Sequence, residues 1–210
     1  MSMGKLEPFA VERSYGPADP EALTSMTGLE VMQAMRDGRL PSAAISEALQ
    51  LDVIEVERGR VVFAGKPSAS FYNPLGTVHG GWPSTLLDSC MGCEVHTTLD
   101  VAGNYTTLEL KVNFIRPISE STGVVRAEGR VVHAGRRTAT AEGRLVDEAG
   151  KLYAHGSTTC IILSARGSWC SQINRLRVPR GGLIYLSALF NRATSEEVSQ
   201  RPPPIFWTSE

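Results

Sequence analysis

Cysteine is scarce in this sequence, with four residues in a chain of 210. So few thiols exclude a small disulfide-stapled scaffold, in which cystines supply the stability that a small core cannot. Cys90 and Cys93 form a CxxC pair, but no second Cys/His pair stands at zinc-finger spacing, and we expect no metal site. We interpret the two thiols as small packing residues one turn apart on a helix.

A strong net charge and a long apolar run are also missing. The formal net charge is -1, which gives no general electrostatic attraction to nucleic acid or to an anionic membrane. The longest apolar stretch, Leu183 to Phe190, is far too short to span a bilayer. The N-terminus has no apolar segment of the kind that a signal peptide requires. We therefore expect a cytoplasmic protein with no nucleic-acid partner, no membrane partner and no cofactor.

Composition divides the chain into three parts. Residues 1–23 mix charges with prolines and are typical of a flexible leader. Residues 166–210 carry many arginines and a Pro202-Pro203-Pro204 run, and they predict an irregular tail. Residues 24–165 between them hold the regular patterns of a folded domain.

This domain begins with helical and hairpin signals. A helix capped by Ser25 or Thr27 is expected to end near Arg36, and a hairpin follows over Leu51 to Ala64. Residues 82–98 show no strand alternation, and their apolar side chains spread around most of a helical circumference. That distribution predicts a long helix buried on most sides.

Strand patterns follow this helix. The first strand alternates up to Pro117, with the apolar residues from Leu108 to Phe114 on the side expected to meet the helix. Three further strands are expected, at about 124–134, 137–147 and 151–163. Short turns between them predict antiparallel hairpins. The order of elements predicts an α+β fold, a single domain in which one antiparallel sheet wraps around one long central helix.

The segment from Asn73 to Gly81 leads into that helix. Gly80 and Gly81 stand where the first backbone amides of a helix have no intrahelical partner. Such donors, with the positive end of the helix dipole, suit a negative group such as the oxyanion that develops on a thioester carbonyl. If the two glycines are considered without the rest of the segment, a flexible entry to the helix with no chemical role explains them more simply than an oxyanion site does.

Asp88 lies in the middle of this largely apolar helix, with no cation within four residues along the chain. A buried carboxylate without a partner is costly, so Asp88 is expected at a wet surface or in a site where it acts as base or nucleophile. Asp88 follows Gly81 by seven residues, about 10 Å along the helix axis. Either the two are unrelated, or one site combines the helix start of one subunit with Asp88 of another.

The segment Asn73 to Gly92, with His79-Gly80-Gly81 and an aspartate nine residues after the histidine, resembles the signature of the PaaI-type hotdog-fold acyl-CoA thioesterases. These enzymes belong to the 4-hydroxybenzoyl-CoA thioesterase superfamily. The likeness continues through Tyr105 to Pro117, Gly135 to Ala139 and Tyr153 to Gly156, and it covers about residues 40–163. It implies a hotdog fold, hydrolysis of an acyl-CoA to free acid and coenzyme A, and a site shared across a homodimer. Dimers of this fold commonly pair again, which implies a homotetramer.

The resemblance also implies roles for individual residues. Asp88 matches the catalytic carboxylate, and Gly81, with Gly80 beside it, matches the amide that polarises the thioester carbonyl. Asn73 matches a side chain that orients substrate or water. His79 matches the motif histidine, which shapes the loop or binds the thioester.

A catalytic hydroxyl of the family falls on Thr107, counted back from Pro117. Regular alternation puts Thr107 on the sheet face opposite Leu108 and Leu110. Only a bulge or the dimer edge would bring it into the site.

The residues that bind the coenzyme A phosphates and the acyl group are less clearly indicated by the sequence. Arg136 and Arg137 stand at a strand junction where they could bind coenzyme A phosphates, although a solvated basic turn explains them equally well. Trp82, Leu86 and Met91 suggest an apolar acyl pocket, which aromatic, medium-chain and branched acyl groups would all fit.

Two other functions compete with hydrolysis. A hotdog enoyl-CoA hydratase shares the fold but has a different arrangement around its Asp/His pair. A non-catalytic acyl-CoA sensor tends to carry a DNA-binding domain, and neither end of this chain has a helix-turn-helix pattern.

Overall fold

The structure is a computed structural model that describes residues 7–163. The predicted tail, residues 166–210, lies outside the described residues. Within residues 7–163, no helix is both long and apolar enough to cross a membrane.

Helices precede and interrupt the strands, in an order close to the predicted one. The helices are α1 (Pro20–Ser25), α2 (Gly28–Arg36), α3 (Ala44–Ala48) and α4 (Gly81–His96). The strands are β1 (Leu51–Glu57), β2 (Arg60–Gly65), β3 (Asn104–Phe114), β4 (Val125–Ala134), β5 (Thr138–Asp147) and β6 (Leu152–Leu163). Thr27 caps α2 in a reciprocal capping box with Glu30, and Gly59 adopts a φ of +76° in the tight turn from β1 to β2.

The strands form one antiparallel sheet in the order β1-β2-β4-β5-β6-β3. Helix α4 lies against β2, β3, β4, β5 and β6. This is the α+β hotdog architecture that the sequence predicts, with β1 and β3 at the two edges of the sheet. Among residues 7–163, strand β3 is therefore paired on one side only, with β6.

Helix α4 is buried because apolar side chains cover most of its circumference. Leu86, Leu87, Met91 and Val95 are completely enclosed. Each contributes roughly 1.5–3 kcal/mol relative to an exposed position. The sheet comes unusually close to the helix at Gly143, where an added Cβ would lie 3.0 Å from Cγ of Met91. The missing side chain thus lets the sheet curve onto α4.

The predicted flexible leader differs from the structure over its described part. Arg13 is buried and forms an ion pair with Asp52 at the beginning of β1. Its guanidinium also donates to the carbonyls of Met35 and Arg36 at the end of α2, and to the carbonyl of Val53 at 3.0 Å. Composition did not indicate this docking, because one arginine among polar residues gives no signal of its partner.

We expect Arg13→Met to lower the free energy of unfolding by about 3–5 kcal/mol, because it leaves the Asp52 carboxylate buried without its cation. Urea denaturation measures this change. Arg144→Met is the control, since it breaks the exposed pair with Glu128 and should cost less than about 1 kcal/mol. An equal loss in both variants would contradict the structural role of Arg13.

Candidate active site

The start of α4 has few free backbone donors. The Gly81 amide donates to Nδ1 of His79 at 2.9 Å, and the Trp82 amide donates to the carbonyl of His79. Pro83 has no N–H, which removes the third donor of the first turn. The amide of Gly80 has no hydrogen-bond partner among residues 7–163. The free donor is therefore on Gly80, whereas the sequence favoured Gly81.

His79 is exposed, and its side chain holds the entry to the helix. A ring nitrogen that accepts a hydrogen bond carries no proton, so neutral His79 has its proton on Nε2. This bond matches the loop-shaping alternative of the two roles that the sequence implied for His79. The exposed Nε2–H remains able to donate to a bound group.

Asn73 organises the loop that precedes α4. Its Oδ1 accepts from the amides of Leu75 and Thr77, and its Nδ2 donates to the Thr77 hydroxyl at 3.0 Å. These bonds form an Asx-type turn, which Asn favours. One Nδ2 hydrogen is left for another acceptor, such as a substrate or water.

A β-bulge in β3 brings Thr107 to the helix side of the sheet. Thr107 pairs with Cys160 and Glu109 pairs with Thr159, so Leu108 is an extra residue between two adjacent rungs. Leu108 is 56% exposed instead of facing the helix, which corrects the alternation expected from the sequence. Leu110 still packs against the core, because the bulge shifts the alternation by one residue.

Within residues 7–163, Asp88 accepts one side-chain hydrogen bond, from Oγ1 of Thr107 to its Oδ1 at 3.1 Å. Its side chain is half-buried, and no Lys, Arg or His within residues 7–163 forms an ion pair with it. Burial raises the pKa of the Asp88 carboxyl above its ordinary value, and the bond from Thr107 partly opposes this shift. Asp88 is thus a stronger base than an exposed aspartate.

Helix α4 holds a second carboxyl, Glu94, with a different environment. Glu94 is completely enclosed, accepts a hydrogen bond from the Cys90 thiol at 3.3 Å, and leaves Oε2 without a partner among the described residues. Burial raises the pKa of Glu94 to about 8. This group is closed to solvent, so of the two carboxyls only Asp88 is accessible to a ligand.

Helix α4 and strand β3 run antiparallel to each other, which places the candidate groups at two separate points. The ring of Phe114 packs on Gly80, 3.2 Å from the position of an added Cβ. Thr107 contacts Asp88, and the hydroxyl of Tyr105 packs against Gly92. Gly80 and Asp88 are eight residues apart on the helix, about 12 Å along its axis.

An apolar cleft of about 370 Å³ lies beside Gly80. This cleft could not be predicted from the sequence, because its walls come from three separate segments. Its lining consists of Val78, Gly80, Pro83, Phe114, Ile115, Arg116, Pro117, Ile118, Tyr153 and Ala154. By contrast, Trp82, Leu86 and Met91, from which the sequence suggested an acyl pocket, are buried in the core.

Arg136 and Arg137 lie in the exposed turn between β4 and β5. Neither side chain has an ion-pair partner among the described residues. Ile162 of β6 pairs with Tyr105 of β3 and donates to the carbonyl of Arg137. The basic turn therefore stands at the Tyr105 end of β3, away from the cleft at Phe114.

Comparison with known proteins places this geometry in a family context. The thioesterase superfamily profile matches residues 75–154, which include α4 and strands β3 to β5. A protein named as an esterase from Saccharolobus solfataricus is 32% identical over 125 residues, covering 60% of this chain and 81% of the relative.

Two other relatives carry more specific names. A 1,4-dihydroxy-2-naphthoyl-CoA hydrolase of Listeria monocytogenes is 23% identical over 122 residues, covering 58% of this chain and 98% of the relative. A solved phenylacetic acid degradation-related thioesterase from Ralstonia eutropha JMP134 is 29% identical with a TM-score of 0.57, covering 62% of this chain and 98% of that one.

We expect Thr107→Val to raise the pKa of Asp88, because the variant removes the hydroxyl that stabilises the charged carboxylate. Carbon NMR of labelled aspartate across a pH titration measures the change. Thr107→Ser should keep the wild-type titration, and so should Thr106→Val, which removes a hydroxyl on the opposite face of β3. An unchanged Asp88 titration in Thr107→Val would show that the hydrogen bond contributes nothing.

Proposed function

The chain belongs to the thioesterase superfamily, and on that premise we propose that it hydrolyses acyl-CoA thioesters to free acid and coenzyme A. Membership makes the protein a thioester hydrolase. The observation that carries the proposal is Asp88, a half-buried carboxylate with a raised pKa that accepts a hydrogen bond from Thr107. A carboxylate kept basic and accessible suits attack on a thioester.

Asp88 acts on the thioester carbon in this proposal, either as the base that removes a proton from water or as the nucleophile itself. Thr107 orients the carboxylate by donating to Oδ1, and this leaves Oδ2 for the water or the carbon. The attack places a negative charge on the carbonyl oxygen. That charge needs a donor fixed in advance.

Gly80 supplies that donor in this proposal. Its amide is unpartnered among the described residues and lies at the positive end of the α4 dipole. The amide of Gly81 serves a different purpose, because His79 already accepts its hydrogen bond. Asn73 adds its remaining Nδ2 hydrogen toward the substrate or the attacking water.

One subunit cannot complete this site alone. Gly80 and Asp88 lie about 12 Å apart along a rigid helix, farther than one carbonyl group can reach. A second copy of the chain removes this difficulty. The free edges of two β3 strands pair antiparallel, with the centre of the pairing at residues 110–111. Phe114 of one strand then lies opposite Thr107 of the other, which brings Gly80 of one subunit to Asp88 of its partner. We therefore propose a homodimer with two shared sites, able to pair again into a tetramer.

Coenzyme A lies at the basic turn in this arrangement. Arg136 and Arg137 lie at the Tyr105 end of β3, which is also the end nearer to Thr107 and Asp88. Guanidinium groups that have no ion-pair partner among the described residues suit binding of the pyrophosphate or the 3′-phosphate of coenzyme A. The named activity of the Listeria relative, hydrolysis of a naphthoyl-CoA, agrees with a coenzyme A thioester as the substrate class.

We expect the protein to release free thiol from saturated acyl-CoA substrates, and Asp88→Asn to lower kcat at least about 100-fold because it removes the base. A thiol-detecting assay with a panel of acyl-CoA compounds measures both results. Asp100→Asn, which changes an exposed aspartate beyond α4, is the matched control. Hydration of crotonyl-CoA without thiol release would identify a hydratase, and acyl-CoA binding without turnover would identify a sensor.

The shared site predicts complementation between two inactive variants. Asp88→Asn removes the carboxylate, and Gly80→Pro removes the amide N–H at a φ of -56°, which proline tolerates. Each variant should be inactive alone. Co-expressed with different affinity tags and purified through both, the mixed dimer should recover about half of wild-type activity, since one of its two sites is intact.

Circular dichroism of each variant establishes that it is folded before the mixed dimer is assayed. A mixed dimer of two folded variants that stays inactive would mean that Gly80 and Asp88 serve one site within a single subunit.

A further inference from the structure

Glu94 is the carboxyl on α4 that the proposed reaction does not use. Its side chain is completely enclosed, although the helix ends only two residues later. Oε1 accepts a hydrogen bond from the thiol of Cys90 at 3.3 Å, and Oε2 has no partner within residues 7–163. A charged carboxylate here loses its hydration and gains little in return. Burial therefore raises the pKa of Glu94 to about 8, against smaller opposite effects of the Cys90 thiol and the Val61 backbone.

Few charged groups act on this carboxyl. Arg60 of β2 favours its charged form, but the Arg60 guanidinium is already paired with Glu55 at 2.7 Å. Within residues 7–163, no charged side chain of α2 or of β3 to β6 is among the groups that shift its pKa. Its titratable neighbours on α4 are two thiols, and burial raises the pKa of Cys90 well above its ordinary value and that of Cys93 to about 12. Glu94 is therefore the first of these three groups to lose its proton as the pH rises.

The turn between β1 and β2 contacts this end of α4. The amide of Gly59 donates to Oγ1 of Thr97 at 2.7 Å, and this hydroxyl donates to the carbonyl of Glu94 at 2.7 Å. The guanidinium of Arg58 donates to the carbonyl of Thr98 at 3.0 Å. Strand β1 lies at the edge of the sheet, so this hairpin can separate from the helix with fewer broken contacts than an inner strand.

We propose that Glu94 is buried in its protonated form, and that loss of this proton in alkaline solution separates the β1–β2 turn from α4. The charged carboxylate regains its hydration only by reaching water, and the contact with the edge hairpin is the one that can open with the least loss of packing. The fold thus contains a pH-sensitive contact at the end of α4 opposite to Gly80. The inference does not depend on the proposed function, because it concerns stability and not hydrolysis.

The effect of Glu94 on stability has a definite sign. The folded protein holds the Glu94 proton more tightly than the unfolded chain does, because the pKa is raised from 4.5 to about 8 on folding. The resulting contribution to stability is complete below about pH 4.5 and is lost as the pH rises to about 8. Within this window, Glu94 alone raises the equilibrium constant for unfolding by up to about tenfold for each pH unit.

Urea denaturation of the wild type and of Glu94→Gln, at one protein concentration and over a range of pH, tests this dependence. Glutamine keeps the shape of the protonated side chain and cannot ionise. The ratio of the unfolding constants, wild type over Glu94→Gln, should rise by up to about tenfold per pH unit and level off above about pH 8. Glu148→Gln, which changes an exposed glutamate in the turn between β5 and β6, is the matched control. Its pH dependence should follow that of the wild type.

Amide hydrogen exchange locates the opening. Protection is the exchange rate relative to an unstructured peptide at the same pH, so the base catalysis of exchange cancels. The Gly59 amide, which donates to Thr97, should lose protection in the wild type as the pH rises through about 8 and should keep it in Glu94→Gln. The amide of Val78, which donates to the carbonyl of Ile118 near the other end of α4, should stay protected in both proteins.

Carbon NMR of the Glu94 carboxyl in the wild type provides a measurement that needs no variant. The carboxyl should titrate well above the ordinary range of glutamate, and titration within that range would overturn the inference. A Gly59 amide that stays protected while Glu94 ionises would also overturn it, because the charge would then be tolerated without opening. Equal loss of Gly59 protection in Glu94→Gln would do the same, because the opening would then depend on another group.

Discussion

The burial of α4 against the sheet fixes the positions of Gly80 and Asp88, the two groups on which the proposed chemistry depends. Leu86, Leu87, Met91 and Val95 are enclosed, so the helix can neither rotate nor slide without opening the core. Its contacts with β3 then follow, with Gly80 at Phe114 and Asp88 at Thr107. The proposed hydrolysis uses the Gly80 amide and the Asp88 carboxylate, which this packing leaves accessible. A rigid helix also fixes the distance between its amide end and its carboxylate, and this distance makes a second subunit necessary for the proposed reaction.

The fold was predictable from the sequence because it depends on patterns with a clear period. Apolar residues around a whole helix, followed by four alternating runs, predict a sheet around a helix, and the structure confirms this architecture. Asp88 was also noticeable from the sequence, as a carboxylate in an apolar helix without a nearby cation. These signals are local, so they need no knowledge of which segments meet.

Other features depend on contacts between distant segments, and the sequence did not indicate them. Whether Gly80 or Gly81 has the free amide depends on the rotamer of His79, which accepts the bond from Gly81. The docking of Arg13 depends on the ends of α2 and β1 lying side by side. The apolar cleft joins residues from three parts of the chain. The regular alternation predicted for β3 put Thr107 and Leu108 on the wrong faces of the sheet. The reason is that Leu108 is an extra residue, which changes which side chains face the helix.

The bulge at Leu108 also bears on self-recognition. An exposed strand edge with regularly spaced donors and acceptors accepts almost any extended chain, which is a cause of aggregation. Strand β3 has such an edge over 11 residues, and the bulge interrupts its regular spacing. A foreign strand without a matching irregularity would leave backbone groups unpaired beside Leu108. In the proposed dimer, Leu108 of one strand lies opposite Asn113 of the other, so the two bulges fall near the two ends of the paired stretch and residues 109–112 between them remain free to pair regularly.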